Sequence, residues 1–118
     1  MSSDLSILDP RFAPIAEWFV QAARDAGYQV TVTSTTRTWE KQAALWEEYQ
    51  TVGRSLPALP PDRSLHVKGL AFDCVVNGDY RGAAQAEVGR AWESFGGTWG
   101  ASSDPVHFQP PHWWLDAL

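Results

Sequence analysis

Apolar residues recur at helical spacing near the start of the chain, at Phe12, Ile15, Ala16, Phe19, Ala22, Ala23 and Ala26. They predict an amphipathic helix with Asp9 as N-cap and Pro10 at its first position, stopped at Gly27. From Tyr28 to Ser34 the period shortens to two. Val30 and Val32 fall on one face, Thr31 and Thr33 on the other, the pattern of a half-buried strand. Thr38 can cap a second helix over roughly Trp39–Gln50, with Trp39, Ala43, Trp46 and Tyr49 as its apolar stripe. The stretch from Gly53 to Arg63 holds three of the eight prolines. It is expected to be a long loop of the kind that borders sites in small domains.

A second alternation covers about Gly69–Val76. Leu70, Phe72, Cys74 and Val76 point one way, and Ala71, Asp73 and Val75 the other. Asn77-Gly78-Asp79 signals a turn. A third helix is predicted over about Gly82–Phe95, with Ala84, Val88, Ala91, Trp92 and Phe95 inward and Gly96-Gly97 ending it. Trp99 opens a short strand, and Val106–Gln109 is the last strand before Pro110-Pro111. The closing HWWLDAL is an aromatic tail expected to pack back on the body. Separated helices and short strands point to the α+β class. With no repeat or linker, residues 1–118 form one domain.

Composition narrows the function classes. Hydrophobic content of 44% and seven Trp supply a core, and 19% charged residues are too few for a disordered chain. A net charge of −5 gives no electrostatic reason to expect nucleic acid or anionic membrane as partner. The single Cys74 excludes an internal disulfide and fits a reducing compartment. No apolar run reaches the length of a membrane span. The opening MSSDLSILDPRF lacks the basic and apolar regions of a signal peptide. The expectation is a soluble monomer made in the cytoplasm.

Two short segments carry the candidate chemistry: SLHVKGLAFD (Ser64–Asp73) and DPVHFQ (Asp104–Gln109). They use two of the chain's three histidines. His66, Asp73 and His107 are a ligand set suited to catalytic Zn2+, because three protein ligands leave the fourth tetrahedral position open for water. Asp73 sits on the strand face opposite Cys74, which removes the thiol from the site. Hydrolysis needs a proton acceptor near that water, and Asp104 is the candidate. Residues three apart on a regular strand face opposite ways, so Asp104 is expected on a loop that bends back at Pro105. Arg37, between the first strand and second helix, is the candidate for stabilising an oxyanion.

These segments resemble the zinc peptidases that cleave peptidoglycan stem peptides. That family includes D-alanyl-D-alanine carboxypeptidases, vancomycin-resistance dipeptidases and phage L-alanyl-D-glutamate endopeptidases (endolysins). Its motif Ser-x-His-x-x-Gly-x-Ala-x-Asp is met by Ser64, His66, Gly69, Ala71 and Asp73. Its second motif, an acidic residue three before His, is met by Asp104 and His107, and Asp in that place is similar to the phage branch. TSTTRTWEKQAALW resembles the family's Ser-x-x-Arg segment through Ser34, Arg37, Gln42 and Leu45, and FGGTWG its Trp/Gly-rich stretch. The similarity spans roughly Tyr28–Gln109.

The resemblance implies metal ligands His66, Asp73 and His107, a general base Asp104, and Arg37 polarising the scissile carbonyl. Ser64 would orient the loop or the substrate. It implies a central antiparallel sheet with helices packed against it, hedgehog/D-Ala-D-Ala-peptidase-like. The substrate would be a stem peptide, reached after release to the cell wall, with the L-alanyl-D-glutamate bond preferred. The alternatives are a D-alanyl-D-alanine carboxypeptidase, or a non-catalytic zinc-stabilised binding module such as hedgehog signalling domains, which resemble this fold. A carboxypeptidase must recognise a terminal carboxylate, for which Arg54, Arg63, Lys68 and Arg81 are all available. Plainer roles fit other residues: His112 as a surface residue, Cys74 as a small buried hydrophobe, and most Trp as core.

Overall fold

The computed structural model describes residues 3–51, 53 and 58–117. A single 3-10 turn, Leu5–Ile7, precedes the first helix. The Asp9 carbonyl accepts the N–H groups of Phe12 (2.8 Å) and Ala13 (2.9 Å), and its carboxylate accepts that of Arg11 (2.9 Å). Asp9 therefore organises a turn that feeds the helix, and α1 itself runs Ala13–Asp25, three residues later than Pro10 suggested. Its inward stripe is Ala16, Phe19, Val20 and Ala23, while Ile15 faces solvent. Gly27 follows at φ +101°, as a helix stop requires.

Four antiparallel strands form one sheet, in the order β1 (Val30–Ser34), β2 (Phe72–Val76), β4 (Asp104–Gln109), β3 (Thr98–Gly100). The helices pack on it, so the class is α+β. Alternation sorts each strand. Phe72, Cys74 and Val76 of β2 are buried, as is Phe108 of β4, and α1 and its neighbours cover them. Phe72 and Phe108 are register partners and their rings stack at 5.3 Å. The next pair in that ladder, Asp73 and His107, points to the opposite face. A single residue step along each strand thus separates the aromatic core from the site.

Two irregularities shape that face. Between Val32 and Ser34 the β1–β2 register shifts, bringing Ser34 opposite Asp73. Between β3 and β4 the register jumps from Trp99↔Phe108 to Gly100↔Asp104. Asp104 therefore belongs to the strand and not to a preceding loop; the bulge in β4 supplies the bend expected of Pro105.

The second helix, α2, spans Trp39–Thr51, and Thr38 Oγ1 accepts the Lys41 N–H at 3.1 Å, as a cap should. Its buried residues are Gln42 and Leu45, whereas Trp39 and Tyr49 are exposed. The expected aromatic stripe is displaced because Gln42 has buried polar partners, described below. Helix α3, Ala83–Ser94, buries Val88 and Trp92 as predicted, but Phe95 is its exposed C-cap and meets Trp18 edge-on at 5.2 Å. A last short helix, α4 (His112–Asp116), returns the aromatic tail to the body, with Trp114 6.3 Å from Phe12 between ring centres. No helix among the described residues is long and apolar enough to cross a membrane.

Gln85 locks α3 to the sheet. It is fully buried, accepts the Val76 N–H at 2.7 Å, and donates to the carbonyls of Cys74 (3.0 Å) and Pro105 (2.8 Å). Gln85→Leu keeps the volume and strands these backbone groups, so we expect a loss of roughly 3 kcal/mol. Urea denaturation would register it as a lowered midpoint with an unchanged slope.

Candidate metal centre and its cleft

His66 lies on the turn-rich segment that enters β2, and its carbonyl accepts the N–H groups of Arg37 (3.1 Å) and Gly69 (3.2 Å). Gly69 has φ +71°, and a Cβ there would lie 2.9 Å from the Asp9 nitrogen. The Gly69 carbonyl accepts the Asp9 N–H at 2.9 Å. Only glycine permits that close seam with the N-terminal segment. The turn so fixed carries His66 toward Asp73, while β-sheet register alone brings His107 there.

His66, Asp73 and His107 each offer one ligand atom, and these atoms lie within 4.8 Å of one another. The hydrogen bonds decide which atoms they are. His66 Nδ1 lies 2.8 Å from the Thr35 carbonyl, which can only accept, so Nδ1 carries the proton and Nε2 presents its lone pair. His107 Nε2 donates to Gln109 Oε1 at 2.6 Å, which leaves Nδ1 with its lone pair free. His66 Nε2 is 3.0 Å, and His107 Nδ1 3.6 Å, from the same oxygen, Asp73 Oδ1. Two imidazole lone pairs and a carboxylate oxygen facing one point repel unless a proton or a cation lies among them. The donor set is therefore fitted to a metal such as zinc, with each ring held by an outer hydrogen bond.

The titration directions follow. Burial pushes Asp73 up, but a proton on each facing ring nitrogen, in the place a cation would take, gives hydrogen bonds and positive charge from His107 and His66 that outweigh it and hold its carboxyl well below the usual range. Burial lowers His107, yet contact with Asp73 raises it above the ordinary imidazole value. On the opposite face, burial pushes the Cys74 thiol far up, consistent with an inert core residue.

Arg37 sits behind the metal ligands. Its guanidinium donates to Asp73 Oδ2 at 2.9 Å, Ser34 Oγ at 3.1 Å and Gln42 Oε1 at 3.1 Å. Gln42 in turn donates to the Leu59 carbonyl at 2.8 Å. The network anchors the loop after α2 to the same carboxylate that faces the metal position. Ser34 and Gln42 stand out in the sequence beside Arg37, but their function as its supports does not. Thr35 acts through its backbone and leaves no sequence signal. Gln109 could have been found, since residues two apart on a strand share a face.

Asp104 and Ser64 line one cleft together with His107. Burial raises the Asp104 carboxyl above its ordinary value; His107 opposes this and the charge of Asp73 adds to it. His112, from α4, is exposed and also lines the cleft. The structure thus gathers His66, Asp73 and His107 at one point, Arg37 behind them, and Asp104 and Ser64 in the cleft beside His107.

The sequence model of the VanY D-alanyl-D-alanine carboxypeptidases matches residues 6–94, and the chain belongs to that family. The match ends before Asp104 and His107. No curated protein matches the chain. Solved structures do. The vancomycin-resistance D,D-dipeptidase VanXYg, bound to a D-Ala-D-Ala phosphinate analogue, shares the fold with TM-score 0.65 at 23% identity, over 87% of this chain and 50% of that one. A VanY D,D-pentapeptidase mutant from a VanB-type resistance cassette, in complex with Zn(II), gives 0.60 at 26%, over 87% and 72%. VanYB in complex with D-alanine-D-alanine gives 0.62 at 25%, over 93% and 75%. The chain therefore spans between half and three quarters of these proteins.

Two substitutions test the donor assignment. His66→Ala should abolish tight zinc binding. Gln109→Leu keeps all three ligands but frees the His107 ring, and should weaken zinc roughly 10- to 100-fold. Competition against a chromophoric chelator measures both, and an unchanged affinity in Gln109→Leu would disprove the Nδ1 assignment.

Proposed function

We propose that the protein is a zinc-dependent peptidase of peptidoglycan stem peptides that releases a terminal D-alanine. The observation that carries this reading is the convergence of His66, Asp73 and His107 in a chain of the VanY family. The motifs alone put the L-alanyl-D-glutamate bond first, on the strength of Asp at position 104. The family match and the D-Ala-D-Ala ligands of the similar structures favour the carboxypeptidase instead. The endopeptidase is the second reading.

His66, Asp73 and His107 would hold zinc, which when bound would supply Lewis acidity for acidifying a water and polarising a carbonyl. The chain's own residues do the rest. Asp104, on the cleft wall beside His107, accepts the proton of the attacking water and returns it to the leaving amine. Its raised pKa suits both transfers, since base and acid must interconvert near the working pH. Arg37, bonded to the outer oxygen of Asp73, keeps a permanent positive charge behind the ligand set, which favours a developing oxyanion at the site. Ser64, buried at the cleft edge, orients the substrate. A binding module without catalysis has no use for a carboxyl placed as Asp104 is.

Asp104→Ala should retain zinc and lose roughly 100- to 10,000-fold in turnover. Digestion of purified peptidoglycan, followed by mass spectrometry, checks it. Free D-alanine from the parent protein and none from the variant is the expected result. New L-alanine and D-glutamate termini would establish the endopeptidase, and no product at all would favour the binding module.

A further inference from the structure

We infer that Arg63 is the substrate-reading residue of the cleft, and that it binds the free α-carboxylate of the residue on the leaving side of the scissile bond. This rests on the peptidase reading above and names what that site recognises. Of the four cations considered for a carboxylate, Arg63 lines the cleft with His107 and Asp104. Arg81 does not line the cleft; it donates to the Ser102 carbonyl at 2.9 Å and lies 5.3 Å over the Tyr80 ring. Lys68 is on the turn after His66 and does not line the cleft. Arg54 falls outside the described residues. Among the described residues, Arg63 is the one Lys or Arg in the cleft wall.

Electrostatics favours such a residue. The chain carries a net charge of −5, and Asp104 lines the cleft. Arg63 sets a positive charge on the same wall, where an anionic peptide end can meet it. A guanidinium answers with two parallel, charge-assisted hydrogen bonds to a carboxylate. The position is also prepared. The Arg63 N–H closes a turn on the Pro60 carbonyl at 3.0 Å, and the preceding Leu59 carbonyl is held by Gln42 of the Arg37–Asp73 network. Only Ser64 and Leu65 separate Arg63 from His66, so reader and metal ligand share one anchored segment. Ala58, Leu59 and Leu115 line the same cleft and suit a small apolar side chain next to that carboxylate.

The chemistry is common to both candidate bonds. A terminal D-alanine has a free α-carboxylate. D-glutamate in a stem peptide is joined onward through its γ-carboxyl, so its α-carboxylate is free as well. One arginine beside the metal site can therefore read either substrate, and amidation of that carboxylate should defeat it.

The test uses two pairs of synthetic stem peptides with the zinc-loaded protein. One pair ends in D-alanine as free acid or amide; the other carries D-isoglutamate or D-isoglutamine after L-alanine. The parent protein should prefer the free acid of the pair it cleaves. Arg63→Gln should reduce that preference roughly 10- to 100-fold in kcat/KM, and Arg63→Lys should restore part of it. Arg81→Gln, outside the cleft, should leave the preference in place. A preference that survives in Arg63→Gln overturns the assignment while leaving the peptidase reading intact. If neither pair is cleaved, the peptidase reading fails, and calorimetric binding decides Arg63 separately. Tighter binding of acid than amide, lost in Arg63→Gln, upholds the assignment; equal binding of both peptides overturns it.

Discussion

Everything in this site is arranged around one carboxylate. Asp73 presents Oδ1 to two imidazoles and Oδ2 to a guanidinium, on a side chain that is only 13% exposed. A buried charge of this kind is tolerable only when it is compensated on all sides. The compensation comes from three parts of the chain: Arg37 in the segment after β1, His66 in the segment entering β2, and His107 on β4. Moving any of them would leave either a carboxylate or an arginine uncompensated in a poorly solvated place. The metal position is thus held by the same electrostatics that joins the sheet to the loop after α2.

The division of labour between the two faces of β2 follows from its pleat. Phe72 and Phe108 build the aromatic core, and their neighbours Asp73 and His107 build the site. A rigid core one residue away limits how far either ligand can drift. Catalytic groups placed on packed strands hold their geometry better than groups on free loops. The less rigid members, Arg63, Ser64 and His66, lie on a loop, but that loop is tied down by Gln42, Thr35 and Gly69.

The periodicities revealed β1, β2 and the three long helices, because each buries a stripe or a face made of carbon. The same logic failed where the buried face is polar. Gln42 points inward from α2 for its hydrogen bonds, so the aromatic residues of that helix turn out to solvent. Phe95 is outside because the helix ends at it, and Trp18 offers it an aromatic partner at the surface. The short helix α4 was hidden by two prolines and by its length of five residues. At the site, spacing and residue type singled out the three ligands, Asp104, Arg37 and Ser64. What they could not reveal was the scaffolding. The Thr35 carbonyl is backbone, and the bulge that brings Asp104 into β4 depends on pairing with β3.

The seam between Gly69 and Asp9 has a consequence for how the molecule assembles. The hydrogen bond joins residues 60 positions apart, and the Asp73–His107 pair spans a further 34. Contacts so distant in sequence bear a large loop-closure cost and tend to form late. A chain still emerging from the ribosome has its first helix well before the strand that carries His107. The metal position would then be the last feature to appear, and the capacity to hold a metal would arise only in a chain whose late strands have closed on its early ones.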